Sequence, residues 1–178
     1  YVEPNYYLNK LDVGGFSEVV SDDEMSAMSS GSYQATSAPI EVTSSWSLLT
    51  GGSTPIVAII DTGVDTNHNV FTRGDAMWRN PGETGLDSNG NNKSTNGIDD
   101  DGNGYIDDVH GWNFVSSSNN VFDNNGHGTH VAGIVLGVGQ NIYASNPGAA
   151  PFKIMALKFL NGQGSGKTSD AIKAIYYA

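Results

Sequence analysis

Two side chains in this sequence are suited to acid–base chemistry, the carboxylate of Asp61 and the imidazole of His127. Asp61 directly follows the apolar run IVAII at residues 56–60, which is typical of a parallel strand buried on both faces. Ligands and catalytic groups collect at the carboxyl ends of such strands. An aspartate there can instead cap the next turn through its own backbone, and Asp61 taken alone favours this simpler interpretation.

His127 changes that balance, because it lies at the start of a predicted helix within GHGTH, residues 126–130. The flanking glycines leave room for a substrate beside the ring. A helix N-terminus opposes a protonated imidazole, and a buried carboxylate such as Asp61 would offset this effect and fix the ring tautomer. The pair therefore suits general-base catalysis. A structural role is the alternative for any single histidine, and we assign it to His68 and His110.

Three residues beyond His127, His130 is expected to pack against the core with Val131 and Ile134. Two histidines at this spacing could also bind zinc. The glutamate of the zinc motif H-E-x-x-H is missing, however, and the motif here is H-x-x-H at a glycine-rich helix start. The sequence therefore does not predict a zinc site.

Oxygen ligands recur in NGIDDDGNGYIDD, residues 96–108, which resembles a calcium-binding loop. Oxygen donors stand at every second residue, and Gly104 supplies the turn. Position twelve of the loop pattern is His110 instead of a bidentate glutamate, so a full helix-loop-helix site is not supported. Asp108 is an alternative to Asp107 as a ligand. The predicted ligands are the side chains of Asp99, Asp101, Asn103 and Asp107 and the carbonyl oxygen of Tyr105.

The charge of this segment also favours a cation. Between Glu83 and Asp108 there are seven acids against one base, Lys93, a net charge of −6 out of the total −11. Such crowding is costly without a cation. A solvated acidic loop is the alternative, and the regular spacing with its glycine favours Ca²⁺.

The elements that must position these groups alternate between strand and helix. Strands are predicted over residues 56–60 and 152–160, and a helix is predicted after each of them, over residues 129–138 and 168–178. Thr168 or Ser169 would cap the last helix, with Asp170 in its first turn. Another short helix is predicted over residues 40–49. This order implies an α/β fold with a parallel sheet.

The segments VAIIDTGVD at 57–65 and HGTHVAG at 127–133 resemble the Asp and His signatures of subtilisin-like serine peptidases. They occur in the family's order, and together they are highly specific. The similarity continues through KIMALK at 153–158 and GSG at 164–166, and covers roughly residues 40–178. The resemblance implies a subtilisin-like fold, with helices on both faces of the parallel sheet, that is incomplete in this chain.

The resemblance further implies a serine endopeptidase that acts on peptides or proteins. Asp61 would orient His127, which would deprotonate the serine that attacks the peptide carbonyl. Leu160 and the GSG segment would border the cleft, and the GSG segment would pair with an extended substrate through backbone hydrogen bonds. Without the family, that segment would be an ordinary flexible turn. The implied substrate-binding residues are Leu160, Gly164, Ser165 and Gly166.

The family's nucleophile motif, Gly-Thr-Ser-Met-Ala, does not occur in these residues, and the serines of 17–47 precede Asp61. The resemblance therefore implies that the nucleophile and the oxyanion-hole Asn lie outside this chain, so the 178 residues alone would not hydrolyse peptides. Residues 39–178 would be the amino-terminal half of the catalytic domain. They would need the carboxyl-terminal half as a partner to fold stably.

A separate piece of chain precedes this domain. YVEPNY at residues 1–6 resembles the closing strand of the family's inhibitory propeptide, so 1–16 would be the end of a propeptide and a partner of the catalytic domain. Residues 17–38 are acidic and Ser-rich and are typical of an exposed linker where a maturation cut could occur. A plain disordered linker is equally consistent with this composition.

Composition narrows the function classes further. With 8 Lys plus Arg against 19 Asp plus Glu, binding to nucleic acid or to an anionic membrane surface is disfavoured. No apolar run approaches the ~20 residues of a membrane-spanning helix. The lack of cysteine excludes disulfides and thiolate chemistry within the chain. An acidic, cysteine-free, loop-rich chain favours a secreted or extracellular protein, or a periplasmic one, and a cytosolic location is the alternative.

Two other function classes are open at this stage. A catalytically dead relative would keep Asp61 and His127 without a nucleophile and would serve as a calcium-stabilised binding module. An adhesive or structural domain would use the acidic loop alone, but this leaves the Asp and His motifs unexplained. The leading hypothesis is a secreted, calcium-stabilised, subtilisin-like endopeptidase.

Overall fold

The computed structural model describes residues 5–10, 54–142 and 152–178, with side chains up to 136 in the middle range. The helix predicted over 40–49 and the linker predicted over 17–38 lie outside the described residues. The described elements in chain order are β1 (Tyr7–Asn9), β2 (Ile56–Asp61), α1 (Asn69–Thr72), a 3₁₀ turn (Lys93–Thr95), β3 (Gly111–Asn113), α2 (His127–Ile142), β4 (Lys153–Lys158), β5 (Ser165–Lys167) and α3 (Thr168–Tyr177).

The main sheet is parallel and has the strand order β2-β4-β3. The pairing of β2 with β4 ends where Asp61 lies opposite Lys158. The short strand β3 pairs with the other edge of β4 and begins where Gly111 lies opposite Ala156. The predicted parallel sheet with alternating strands and helices is confirmed, and β4 is its central strand among the described residues.

The two helices α2 and α3 pack on opposite faces of β4. Side chains alternate between the two faces of a strand, so neighbouring residues of β4 enter different apolar clusters. Ile154 and Ala156 are buried in one cluster with Leu136 of α2, and Leu157 is buried in the other with Ala174 of α3. Helices therefore cover both faces of the sheet, as the family resemblance implied.

Strand β2 extends over the predicted run and includes Asp61, but its predicted burial on both sides is wrong. Ile59 is its one buried residue, and Ile56 is 49% exposed. The reason is its place in the sheet, because β2 pairs with β4 alone among the described strands. Its other edge is open over the part of the chain that the structure describes.

The packing predicted for α2 is partly wrong. The helix begins two residues before the predicted start at residue 129. Ile134 is 42% exposed, whereas Ala132 and Leu136 are buried and Val131 packs against the same cluster. With 3.6 residues per turn, Ile134 lies on the face turned away from the sheet. His130, which was expected in the core, is half-buried.

The predicted side-chain cap of α3 is also wrong. The residue at the N-cap position is Lys167, whose side chain makes no capping hydrogen bond, and the N–H of Ser169 donates instead to Oδ1 of Asn5 at 3.0 Å. The hydroxyl of Thr168 instead donates to the carbonyl oxygen of Tyr6, at 2.8 Å, in the chain segment before β1. Asp170 lies in the first turn as predicted and pairs with Lys173 at 3.1 Å. No helix within the described ranges is long and apolar enough to cross a membrane.

Candidate active site

Asp61 and His127 are in direct contact, although they are 66 positions apart in the chain. Asp61 is the last residue of β2, and His127 is the first of α2. The Nδ1 atom of His127 lies 2.8 Å from Oδ1 and 2.9 Å from Oδ2 of Asp61. An ionised carboxylate only accepts hydrogen bonds, so Nδ1 carries the proton in this contact and Nε2 is free to accept another.

The contact is partly shielded from water. The side chain of Asp61 is 13% exposed, and that of His127 is 25% exposed. A pair at this depth interacts more strongly than it would on the surface, because less water screens the two groups. The imidazole still keeps an accessible edge, as a proton acceptor for an incoming group requires.

A glycine lets the two elements approach this closely. A Cβ atom on Gly128 would overlap the carbonyl oxygen of Gly63 and press on Cβ of Asp61. Any larger residue would therefore push the first turn of α2 away from the end of β2. Gly63 itself has a φ of +110°, a conformation that side chains rarely adopt.

Asp123 holds the start of α2 in place. It is 6% exposed and its Oδ1 accepts the N–H groups of Asn125 and Gly126, both at 2.9 Å. Its Oδ2 accepts the N–H and the hydroxyl of Thr129, at 2.9 and 2.8 Å. Burial opposes its charge, but the hydrogen bonds from Gly126, Thr129 and Asn125 outweigh that effect and hold the pKa of Asp123 below its usual value.

The predicted substrate-binding residues follow the end of β4. Leu160 is buried, and its N–H donates to the carbonyl oxygen of Asp61 at 3.2 Å. Ser165 and Gly166 lie in β5, and Gly164 precedes it with a φ of +76°. A Cβ atom on Gly166 would overlap the carbonyl oxygen of Phe159. This segment is therefore a strand packed beside the end of β4, which fits the family-based expectation better than a flexible turn.

The partner of β5 is the amino-terminal strand β1, and the two are antiparallel. Leu8 lies opposite Gly166, and Asn9 lies opposite Ser165. The backbone N–H of Lys10 extends the pairing by donating to the carbonyl oxygen of Gly164 at 2.8 Å. The segment predicted to pair with an extended substrate thus pairs with the chain's own upstream residues.

The acidic segment forms a cluster of three carboxylates. One oxygen each of Glu83, Asp99 and Asp101 lies within 4.8 Å of the other two. Glu83 is fully buried, and its Oε1 accepts the N–H groups of Asp100 and Asp101 at 2.7 and 3.3 Å. Its Oε2 is buried and has no hydrogen-bond partner. Burial, together with the nearby carboxylates of Asp101 and Asp108, raises the pKa of Glu83 above its usual value.

The other predicted ligands are engaged within the loop. The side-chain amide of Asn103 donates to Asp101 and Asp108, at 3.3 and 3.0 Å, while its oxygen accepts the N–H of Tyr105. Asp107 accepts the N–H of Gly97 and lies outside the three-carboxylate group. The structure therefore brings Asp99 and Asp101 together with Glu83, which the sequence analysis did not assign as a ligand.

Asp108, the alternative ligand, is fully buried and joins the acidic segment to α3. It accepts hydrogen bonds from the side-chain amides of Asn80 and Asn103 and from the hydroxyl of Tyr177. Burial and the Asp108 charge raise the pKa of the Tyr177 hydroxyl, which keeps it protonated as a donor. This arrangement suits a structural link.

The structural roles assigned to two histidines fit their contacts. Nδ1 of His68 accepts the N–H of Val70 at 3.3 Å and caps α1. Nδ1 of His110 lies 2.7 Å from the carbonyl oxygen of Trp78. Neither ring belongs to the carboxylate group or to the Asp61–His127 contact.

Sequence reasoning missed two residues of these sites. Glu83 stands 16 positions before Asp99, outside any loop pattern, so no spacing rule would have found it. Asp123 could have been found, since an aspartate shortly before a helix start commonly accepts the free N–H groups there.

Comparisons with known proteins place the sequence in one family. The model of the Subtilase family matches residues 52–178. Subtilisin-like protease 1 of Plasmodium vivax is 36% identical over 121 residues, which are 68% of this chain and 18% of that protein. Thermitase of Thermoactinomyces vulgaris is 29% identical over 78% of this chain and 38% of that protein. A cell wall-associated protease of Bacillus subtilis is 44% identical over 38% of this chain and 8% of that protein.

The chain spans less than a fifth of the length of the Plasmodium relative. The matched region contains the whole of β2 and α2, whose ends make the carboxylate–imidazole contact, and also β4 and α3. On the family match and this arrangement, the chain belongs to the subtilase family of serine peptidases.

Proposed function

We propose that this chain supplies the carboxylate and the imidazole of a serine endopeptidase whose nucleophilic serine lies in a part of the protein outside these residues. The observation that carries the proposal is the hydrogen bond from Nδ1 of His127 to the carboxylate of Asp61. It leaves Nε2 available to accept a proton. The subtilase membership and the protease names of the relatives support it.

In this mechanism Nε2 of His127 takes the proton of the serine hydroxyl as the serine oxygen attacks the peptide carbonyl. The carboxylate of Asp61 stabilises the imidazolium that forms and keeps the ring oriented. The imidazolium then gives its proton to the leaving amine as the peptide bond breaks. Water repeats the sequence on the acyl-enzyme, so the serine and the neutral imidazole are restored.

The proposal includes a carboxyl-terminal half as partner. Strand β2 has an open edge among the described strands, and an unpaired edge is a site where another strand can add. Helix α3 also exposes large apolar side chains, with Ile175 65% and Tyr176 88% exposed. An edge and a helix face of this kind fit further strands and helices of the same catalytic domain.

A second part of the proposal concerns the amino-terminal segment. Strand β1 adds to β5 through backbone hydrogen bonds, and β5 is the strand that the family resemblance assigns to substrate pairing. Residues 5–10 would therefore occupy the substrate position as an inhibitory propeptide does. A cut in the linker that follows would then release the cleft.

The third part is calcium binding by Glu83, Asp99 and Asp101, with Asn103, Tyr105 and Asp107 as the further ligands predicted from the loop. Hard oxygen donors of this kind suit Ca²⁺, and the buried, unpartnered Oε2 of Glu83 fits a cation better than it fits an apolar environment. Bound Ca²⁺ would supply charge neutralisation to the cluster. Calcium binding in an acidic chain without cysteine fits a secreted protein.

The catalytic assignment is tested by labelling the full-length protein with a fluorophosphonate. His127→Ala should slow labelling by about 10³-fold or more, since the serine loses its base, and Asp61→Asn should slow it through the wrong ring tautomer. His130→Gln, on the same helix, is the matched control and should stay within about threefold of the unmodified protein. Equal labelling of His127→Ala and the unmodified protein would rule out the assignment.

The inhibitory role of the amino-terminal segment is tested with a synthetic peptide of residues 1–10 added to the mature full-length enzyme. Competitive inhibition is expected. N-methylation at Lys10 removes the N–H that donates to Gly164 and should weaken inhibition about fivefold or more. Equal inhibition by both peptides, or by neither, would contradict the proposed pairing.

Calcium binding is tested by thermal unfolding of the full-length protein with and without a chelator. Chelation should lower Tm and increase proteolysis between residues 83 and 110, because repulsion in the carboxylate cluster is no longer offset. Glu83→Gln should remove most of the Tm response to Ca²⁺. Asp87→Asn is the control, since Asp87 lies in the same acidic segment but outside the cluster. A Tm that does not depend on Ca²⁺ would remove the assignment.

A further inference from the structure

Thr62, the residue after Asp61, is fully buried and uses all of its polar atoms. Its N–H donates to Oδ1 of Asp61 at 2.6 Å. Its hydroxyl donates to Asp123 at 2.9 Å and accepts the N–H of Gly128, also at 2.9 Å. Its carbonyl oxygen accepts a hydrogen bond from Nζ of Lys158. Thr62 therefore ties the end of β2 to the first turn of α2 and to β4.

Lys158 is 5% exposed, and such deep burial is unusual for an ammonium group. It ends β4 in register with Asp61 and donates to Thr62 and, at 3.1 Å, to Oδ1 of Asn124. Burial lowers the pKa of Lys158, while the carboxylates of Asp123 and Asp61 counteract this by favouring the charged form. The buried ammonium thus lies among the groups that hold the candidate base.

We propose that Lys158 and Asp123 are a pair of buried, oppositely charged positioning residues that hold the Asp61–His127 contact together and set the proton affinity of His127 in opposite directions. Neither residue touches the reacting atoms. Both act through Thr62 and the loop that leads into α2, which contains Asn124. The proposal deepens the proposed function, because it assigns a way to tune the base of that same site.

Three charged side chains stand on the segments that meet at this site. Asp61 lies at the end of β2, Asp123 in the loop before α2, and Lys158 at the end of β4. Asp65 lies in the loop after β2, and its backbone N–H donates to the hydroxyl of Thr129 in α2 at 3.0 Å. The ring of His130 is one turn further along the helix. The positive charge of Lys158 disfavours a protonated His127 ring, whereas the negative charges of Asp61 and Asp123 favour it.

The sign of each effect follows from this arrangement. Removing the positive charge of Lys158 should make the His127 imidazolium easier to form, so the midpoint of its titration should move to higher pH. Removing the negative charge of Asp123 should make the imidazolium harder to form, so the midpoint should move to lower pH. We expect each shift to be about half a pH unit or more, because little water screens buried charges.

The experiment follows the His127 ring by NMR in the full-length protein with isotope-labelled histidine, across a pH titration. Lys158→Gln keeps an amide donor for Thr62 and should raise the midpoint. Asp123→Asn should lower it, and Lys158→Arg should restore the unmodified value. The matched control is Lys153→Gln, because Lys153 lies on the same strand and pairs with Asp75 away from the site. It should leave the midpoint unchanged.

Activity provides the second readout. The acid limb of the kcat/KM profile should move in the same direction as the titration midpoint for each variant, with KM changed less than kcat. If the protein does not hydrolyse peptides, the proposed function fails, but the titration still tests the positioning pair. If Lys158→Gln does not fold, Lys158→Arg and Asp123→Asn carry the test.

A purely structural role for the two residues would lower Tm in both variants and leave the His127 titration unmoved. That result, or shifts of the same sign in Lys158→Gln and Asp123→Asn, would overturn the proposal. A normal midpoint in Lys158→Arg and opposite shifts in the two neutral variants would support it.

Discussion

The hydrogen bond between Asp61 and His127 constrains the rest of this structure, because it requires a strand end and a helix start that are far apart in sequence to meet within 3 Å. Several neighbouring features serve that one contact. Gly128 removes the side chain that would separate the two elements, and Asp123 binds the free N–H groups of the helix start. Thr62 joins both elements through a single hydroxyl. Each of these residues is explained by the need to hold the imidazole against the carboxylate.

Strand β4 is the element that makes this arrangement possible. Its side chains alternate between the two faces of the sheet and pack against α2 on one face and α3 on the other. Its last residue, Lys158, lies opposite Asp61. The chain then turns through Leu160 into β5, where the amino-terminal strand β1 pairs. Strand β4 thus positions the candidate base His127, the turn at Leu160 and strand β5. The acidic segment is joined to helix α3, on the other face of β4, by the hydrogen bond between Asp108 and Tyr177.

The sequence predicted the parts whose cause is local. Asp61 and His127 stand in short motifs at a strand end and a helix start, and β2 follows from the continuous apolar run IVAII at residues 56–60. The parts decided by distant packing were not predictable. Glu83 joins Asp99 and Asp101 through the path of an irregular loop, and β3 is too short to show a period. The exposure of Ile134 depends on which face of α2 the sheet covers. The hydroxyl of Thr168 donates to the carbonyl oxygen of Tyr6, a residue far away in the sequence, and no local pattern predicts this hydrogen bond.

The central claim is that Asp61 holds the proton on Nδ1 of His127, which leaves Nε2 as the acceptor. The most direct measurement is the ¹⁵N chemical shifts of the His127 imidazole in the full-length protein, at a pH where the ring is neutral. These shifts show which of the two ring nitrogens carries the proton. The account predicts a protonated Nδ1 with a strongly downfield proton that is lost in Asp61→Ala. A ring protonated on Nε2, or a proton signal that survives in Asp61→Ala, would contradict it.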